Sequence, residues 1–274
     1  MEGAKEPTRA SVPGVQSFGA RVAVVTGAGT GIGRAAAIQL ARRGANVGVL
    51  SHDEGNVRET VASIEGAGGE ALALVADVRS EAALTAAYGE VERRWGRLDM
   101  VVANAGINGV HAPLDELTLA EWEHTLATNL TGTFLTVKLA LPLLRRRGGA
   151  VVVTASVNGT RTFSNTGATA YSCSKAGQVA FAKMTALELA RDRIRVNVIC
   201  PGAITTAIDD NTERRNIERV RIPVEFPQGN HPLAGGPGTP DQVARLIAFL
   251  LSDDADHITG TEVWIDGGES LLIG

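Results

Sequence analysis

The chain has 274 residues, which at about 150 residues per domain allows one large domain or two small ones. Hydrophobic residues make up 44% and charged residues 20%, so a sizeable core can form and wholesale disorder is excluded. The 26 basic and 30 acidic side chains give a net charge of −4. That balance argues against general nucleic-acid binding, which needs a basic surplus to displace counterions.

Glycine is frequent, with 32 residues, and aromatic residues make up only 4%. This composition favours a layered α/β domain over a β-sandwich. Residues 1–20 mix charged residues with Pro, Gly and Ser and contain no apolar run, so we expect a flexible leader there. Neither a secretory signal, which needs about 7–15 consecutive apolar residues, nor a membrane span of about 18 is found.

Two cysteines, Cys173 and Cys200, are too few for a disulfide scaffold and are interpreted as free thiols in a reducing compartment. The five histidines show no ligand spacing, so no metal site is predicted. We therefore expect a cytoplasmic protein without membrane or nucleic-acid partners.

Short β-branched runs alternate with helical segments along the chain. Strands are predicted at 21–26, 46–50, 71–76, 98–103, 150–155, 195–199 and 262–265. Helices are predicted at 34–43, 57–65, 81–95, 119–147, 168–191 and 242–251. The alternation predicts one doubly wound α/β domain over 21–274, with a parallel sheet of about seven strands and helices on both faces.

A polar stretch rich in Pro and Gly, about 207–240, interrupts this alternation. It is too long for an ordinary connection, and it follows the carboxyl end of a strand, where such sheets bind ligands. We predict that it is a lid over the substrate. Its charged side chains are interpreted as solvated rather than as substrate contacts: Asp209, Asp210, Glu213, Arg214 and Arg215.

A glycine-rich turn connects the first predicted strand to the first helix. Its residues after Thr26 are Gly27, Ala28, Gly29, Thr30, Gly31, Ile32 and Gly33. Glycines there let the backbone turn tightly and approach a ligand, while the helix N-terminus presents free N–H groups to a phosphate. Any glycine-rich turn alone is also compatible with a tight connection without a ligand, but this one precedes six further predicted strands and favours a dinucleotide site.

The spacing T-G-x-x-x-G-x-G resembles the signature of the short-chain dehydrogenase/reductase family, and the resemblance covers nearly the whole chain from Arg21. Further motifs follow in the family's order: Asp77-Val78, Asn104-Ala105-Gly106, Asn129-x-x-Gly132, Ser156, Tyr171-x-x-x-Lys175, Pro201-Gly202-x-x-x-Thr206 and Asp266-Gly267-Gly268. The resemblance implies a Rossmann-type fold and an enzyme that uses NAD(H) or NADP(H).

The resemblance also implies a set of cofactor contacts. Asp77 and Val78 would contact the adenine, and Asn104, Ala105 and Gly106 would support the sheet beside the cofactor. The segment with Pro201, Gly202, Ile204 and Thr206 would close over the nicotinamide. Tyr171 and Lys175 would contact the cofactor as well as act in catalysis.

Tyr171 and Lys175 are four residues apart in a predicted helix, so their side chains share a face. A nearby ammonium favours a phenolate, and Tyr171 could then exchange a proton with a ketone or an alcohol. Ser156, at the end of the fifth predicted strand, offers a hydroxyl to the reacting oxygen. As the resemblance implies, Asn129 would hold a water that links Lys175 to solvent.

One departure from the family pattern concerns Ser156, which lies 15 residues before Tyr171, whereas a gap of about 13 is more frequent in the family. Thr154 has the same side-chain parity along the strand as Ser156. The sequence context favours Ser156 as the substrate-binding hydroxyl.

The end of the second strand should discriminate between NAD and NADP. Ser51 stands where NAD-dependent members of the family carry Asp, and His52 where many NADP-dependent members carry Arg. A hydroxyl and an imidazole tolerate a 2′-phosphate, so we favour NADP(H). Asp53 has the same parity as Ser51 and leaves NAD(H) open.

These features predict an oxidoreductase that transfers a hydride between NADP(H) or NAD(H) and a small-molecule ketone or secondary alcohol. A 3-oxoacyl thioester is one candidate substrate. The alternatives are a dinucleotide-sensing regulatory protein without turnover and a structural subunit of a larger complex. The resemblance implies a homotetramer or homodimer, built with the long helices and the C-terminal strand.

Overall fold

The structure is a computed structural model that describes residues 17–19, 21–208, 212–226, 229–233 and 235–272. Most of the expected leader (1–16 and 20), together with Asp209 and Asp210 of the lid, lies outside the described residues. Phe18 belongs to the fold, because its side chain is 2% exposed and its N–H donates to the Arg43 carbonyl over 2.7 Å. The packed part of the chain therefore begins before the expected boundary at residue 21.

Seven parallel strands form the predicted sheet, in the order β3-β2-β1-β4-β6-β7-β9. Their bounds are β1 Val22–Thr26, β2 Asn46–Ser51, β3 Glu70–Val75, β4 Met100–Ala103, β6 Gly149–Thr154, β7 Ile194–Pro201 and β9 Glu262–Ile265. The order reverses direction at β1 and β4, and that switch point is where an open parallel sheet binds ligands. The predicted single Rossmann-type α/β domain is confirmed.

Helices cover both faces of the sheet. Their bounds are α1 Gly31–Arg42, α2 Glu54–Gly66, α3 Glu81–Trp95, α4 Leu119–Leu126, α5 Gly132–Leu144, α6 Thr169–Leu189 and α7 Pro240–Leu251. Alternate residues of β1 face different layers: Val22 and Val24 pack with α3, α5 and α6, whereas Ala23 and Val25 pack with α1, α2 and α7. The strands are apolar on both faces because each face is covered.

The predicted long helix over 119–147 contains a local irregularity. Helices α4 and α5 are joined by a π-helical turn, Ala127–Thr131, and α5 ends at Leu144. Such turns are rare in proteins overall, and those that occur often lie at functional sites. The turn places Asn129 in the interior, with no exposed surface.

The segment that is predicted to be a lid, about 207–240, contains regular structure. Residues Thr212–Arg214 form a short strand, β8, which pairs in parallel with β5, Gly109–His111. Behind it, Arg215 donates to both carboxylate oxygens of Glu121 at 2.9 Å. The interpretation of Arg215 as a solvated charge is therefore wrong: its guanidinium connects the start of this segment to α4.

Candidate active site

A cavity of about 1200 Å³ lies at the carboxyl edge of the sheet. Its walls come from the turn after β1, the ends of β2, β3, β4 and β6, the start of α6 and the segment after β7. Parallel strands all end at this edge, so residues far apart in sequence meet there. The predicted site residues that line the cavity are Gly27, Thr30, Gly31, Ile32, Ser51, His52, Asp77, Val78, Asn104, Ala105, Gly106, Ser156, Tyr171, Lys175, Pro201, Gly202, Ile204 and Thr206.

Three predicted site residues lie behind the cavity wall instead: Gly29, Gly33 and Asn129. The two glycines allow close packing: a Cβ on Gly33 would overlap the Gly27 carbonyl oxygen, and one on Gly29 would lie 2.7 Å from the Asn56 Cβ. Gly27 itself has a φ of +64°, which disfavours any other residue. The conformation of the turn therefore depends on close backbone packing, which a side chain at Gly29 or Gly33 would disrupt.

The start of α1 suits an anionic ligand. Thr30 precedes the helix but does not cap it with its side chain, and Thr30, Gly31 and Ile32 line the cavity. Uncapped N–H groups and the helix dipole attract phosphate at such a position. Together with the glycine-rich turn after β1, this end of the cavity fits the pyrophosphate of a dinucleotide.

The segment Asn104–Gly106 is tied to the glycine turn through Thr26. The Thr26 hydroxyl accepts from the N–H groups of Asn104 and Ala105 at 3.0 and 3.1 Å, and Asn104 Nδ2 donates to the Thr26 carbonyl at 3.1 Å. These bonds fix the end of β4 beside the turn. A Cβ on Gly106 would lie 3.2 Å from Asn129 Oδ1, so this glycine allows the segment to pack closely on the Asn129 side chain.

Tyr171 and Lys175 share one face of α6, as their spacing predicts, and are 8% and 3% exposed. The Lys175 ammonium lies 5.5 Å from the centre of the Tyr171 ring and donates to the Thr154 carbonyl over 2.9 Å. Ser156 follows β6, and its hydroxyl lies beside the phenol of Tyr171 and accepts from the Asn158 N–H at 3.1 Å. A phenol, a hydroxyl and an ammonium thus converge at the floor of the cavity.

The pKa values of these groups differ from the sequence expectation. Burial raises the pKa of Tyr171, and the hydrogen bond with Ser156 acts in the opposite direction. Burial lowers the pKa of Lys175 from 10.5 to about 8. The net direction of the Tyr171 pKa is therefore upward, set by burial, and not downward as the Lys175 ammonium was expected to make it.

Asn129 is fixed by hydrogen bonds from every polar atom of its side chain. Its Nδ2 donates to the Ile107 carbonyl and to the Ser174 hydroxyl, both at 2.9 Å, while its Oδ1 accepts from the Ile107 N–H at 2.8 Å. The Asn129 carbonyl accepts from Gln178 Nε2 at 2.8 Å. Asn129 therefore connects the end of β4 to α6, which carries Tyr171 and Lys175.

The far end of the cavity contains a charged cluster that the sequence analysis missed. Arg79 pairs with Asp77 at 2.6 Å, and its hydrogen bond lowers the pKa of that carboxyl group. Arg79 Nη1 also lies 3.0 Å from His124 Nδ1. Arg79 follows Asp77-Val78 directly, but only the fold brings it to α4.

Known proteins resemble this chain over nearly its whole described length. A family model described as enoyl-(acyl carrier protein) reductase matches residues 27–270. Levodione reductase of Leifsonia aquatica is 39% identical over 258 residues, which cover 92% of this chain and 95% of that protein. The chain belongs to the short-chain dehydrogenase/reductase family.

Two solved structures of the short-chain dehydrogenase/reductase family show the same fold. A 3-ketoacyl-ACP reductase from Sinorhizobium meliloti 1021 superposes with a TM-score of 0.89 and 54% identity, covering 92% of this chain and all of that one. A 3-ketoacyl-(acyl-carrier-protein) reductase from Brucella melitensis, complexed with NADH, gives 0.82 and 28%, covering 93% and 100%.

This short-chain dehydrogenase/reductase is an NAD(P)-dependent oxidoreductase that acts on CH–OH groups and interconverts ketones and secondary alcohols. Nothing in the comparisons supports a regulatory role without turnover. Within the described ranges, no helix is long and apolar enough to span a membrane. In the same part of the chain, no three His, Cys, Asp or Glu side chains cluster as a metal site would need.

Proposed function

We propose that Tyr171 is the acid–base catalyst of this oxidoreductase, that Ser156 holds the reacting oxygen and that Lys175 assists Tyr171 and binds the nicotinamide ribose. The observation that supports these roles is the convergence of the three side chains beside the glycine turn, in one cavity. Each group is largely buried, so electrostatic interactions among them are stronger than in water.

In the reductive direction, the hydroxyls of Ser156 and Tyr171 donate hydrogen bonds to the substrate carbonyl oxygen. A bound reduced nicotinamide would supply the hydride, and its oxidised ring would carry a positive charge. As negative charge develops on the oxygen, Tyr171 gives its proton to it. The raised pKa of Tyr171 keeps the phenol protonated at neutral pH, which suits the acid role.

Lys175 and Asn129 support this step. The Lys175 ammonium stabilises the phenolate that Tyr171 leaves behind, and its bond to the Thr154 carbonyl fixes its position. Asn129 acts as a positioning residue, because its amide joins Ile107 to Ser174 on α6. The water that the resemblance assigns to Asn129 stays a prediction.

We propose that the preferred cofactor is NADP(H). Ser51 and His52 line the cavity at the end of β2, whereas Asp53 caps α2 by accepting from the Asn56 N–H at 2.8 Å. The Asp53 carboxylate is therefore hydrogen-bonded at the N-terminus of α2, and the Asp77 carboxylate is paired with Arg79. A 2′-phosphate would thus meet a hydroxyl and an imidazole without a free carboxylate beside them.

The experiment is a panel of ketones and secondary alcohols, including an acetoacetyl thioester, assayed with both cofactors through the absorbance of reduced nicotinamide. We expect turnover with a higher kcat/KM for NADPH than for NADH. In Ser51→Asp the preference should shift towards NADH by about tenfold or more, because a carboxylate there repels the phosphate. If the ratio of kcat/KM for NADPH to that for NADH were the same in Ser51→Asp and in the wild type, Ser51 would not be the residue that selects the cofactor.

One observation favours a 3-oxoacyl thioester as the substrate: the chain is 54% identical to a 3-ketoacyl-ACP reductase.

For the whole protein, we propose a cytoplasmic homotetramer or homodimer with a substrate lid at about 207–240. The free thiols of Cys173 and Cys200 suit a reducing compartment. Assembly is supported by apolar side chains exposed on α5 and α6, Phe134, Met184 and Leu187.

A further inference from the structure

A tight turn follows Ser156 and carries an arginine into the cavity. The Val157 carbonyl accepts from the N–H groups of Thr160, Arg161 and Thr162 at 3.1, 2.9 and 3.0 Å. The Thr160 hydroxyl donates to the Ser156 carbonyl at 2.8 Å. The turn is thus closed by its own bonds, and it places Arg161 in the wall of the same cavity that Ser156 lines.

The Arg161 guanidinium lies over the ring of Trp264 on β9, 3.6 Å from the ring centre. Trp264 packs against the core, and its Nε1 donates to the Thr160 hydroxyl at 3.4 Å. An arginine held on an aromatic face loses conformational freedom but keeps the N–H donors at its edge available. The ring therefore orients the guanidinium in advance.

The guanidinium of Arg161 has neither a hydrogen bond nor an ion pair within the described part of the chain, although it lines the cavity. Two acidic residues are nearby on the C-terminal turn. Asp266 attracts Arg161 electrostatically but accepts from the N–H groups of Gly268 and Ser270 at 3.1 and 3.0 Å. Glu269 accepts from the Ala203 N–H at 3.0 Å. Both acids are thus engaged by the backbone.

We propose that Arg161 binds a carboxylate of the substrate, so that this oxidoreductase acts on ketones or secondary alcohols that carry an acid group. The inference rests on the proposed function, because it places the reacting carbonyl at Ser156 and Tyr171. A planar guanidinium pairs with a carboxylate through two parallel N–H···O bonds, which fixes both position and orientation. Arg161 is a specificity residue rather than a participant in proton transfer.

The test compares 4-oxocyclohexanecarboxylate with its neutral carboxamide, which differ in charge but hardly in shape. The wild-type protein should reduce the acid with the higher kcat/KM. Arg161→Gln should lower kcat/KM for the acid at least tenfold and leave the amide within twofold, while Arg161→Lys should fall between. Arg93→Gln, which removes the same charge from an exposed part of α3, is the matched control.

A binding measurement separates this proposal from the proposed function. Calorimetry on the protein saturated with cofactor should show cyclohexanecarboxylate binding to wild type and to Tyr171→Phe, and at least tenfold weaker binding to Arg161→Gln. That result, without turnover of any ketone, would leave the carboxylate site standing and remove the proposed function. Equal affinities of wild type and Arg161→Gln, or no binding to wild type, would overturn the carboxylate site.

Discussion

Lys175 shows how burial changes a side chain's chemistry. In water its ammonium would remain protonated well above neutral pH, but burial lowers its pKa from 10.5 to about 8. Its one hydrogen bond to protein in the described structure goes to the Thr154 carbonyl. A lysine that titrates near neutral pH gives both cofactor binding and proton transfer a pH dependence.

A stability measurement tests this pKa. The unfolded chain binds the Lys175 proton more tightly than the folded chain, so the free energy of unfolding should rise with pH between about 8 and 10.5. Relative to Lys175→Met, the gain is at most about 3 kcal/mol. Urea unfolding of both cofactor-free proteins across this range measures it. A constant difference between the two would contradict the lowered pKa.

For individual residues, helical spacing was enough to predict that the Tyr171 and Lys175 side chains lie on the same face of α6. It could not predict the stack of Arg161 on Trp264, because these residues are far apart in sequence and meet only when β9 joins the sheet. The role of Asp53 as a helix cap was likewise hidden, since parity along the strand left it equivalent to Ser51.

Among the elements, the glycine turn is fixed by packing that a single methyl group would break. Gly33→Ala places a Cβ against the Gly27 carbonyl oxygen, so the turn must shift. We expect at least about tenfold weaker cofactor binding, measured by fluorescence titration with NADPH, because the helix N-terminus then leaves its position.

The matched control is Gly89→Ala, inside α3, where a Cβ has no neighbour within 4 Å. It should keep cofactor affinity and stabilise the protein by about 0.5–1 kcal/mol, since alanine favours a helix. If both variants bound NADPH like the wild type, close packing of the turn would not be needed for binding.

The proposed lid is anchored at its start by Arg215, which pairs with Glu121 and also donates to the Glu116 carbonyl at 2.8 Å. The hydrogen bond from Arg215 lowers the pKa of Glu121 to about 2. The Glu121 carboxylate therefore stays ionised, and the ion pair persists, at any pH well above 2. Arg215→Gln should raise KM more than it lowers kcat and speed cleavage by chymotrypsin within the lid. Arg221→Gln, an exposed neighbour, should behave like the wild type.

Identical KM values for Arg215→Gln and the wild type would show that the anchor does not shape the substrate site. The anchor could not be predicted from the sequence, since β5 and β8 have three residues each and pair across about a hundred positions. The π-helical turn at Asn129 was hidden for a related reason: hydrophobic periodicity predicts a helix but not one extra residue in a turn.

For the whole molecule, alternating strands and helices were enough to predict the parallel sheet and to place the site at its carboxyl edge. The proposed assembly needs a surface, and α6 exposes Met184 and Leu187, three residues apart on one face and 74% and 83% exposed. Leu187→Glu should reduce the molar mass found by light scattering, whereas Leu114→Glu, at a loop residue that is 73% exposed, should not. An unchanged mass in Leu187→Glu would exclude this face.

In the proposed mechanism, Tyr171 transfers the proton while the rest of the cavity binds the ligands. Tyr171→Phe removes one hydroxyl and keeps the buried ring, so the most direct measurement compares its kcat/KM for ketone reduction with its affinity for NADPH. We expect kcat/KM to fall by about 10²–10⁴-fold while the affinity for NADPH stays unchanged. Turnover within tenfold of the wild type would contradict it.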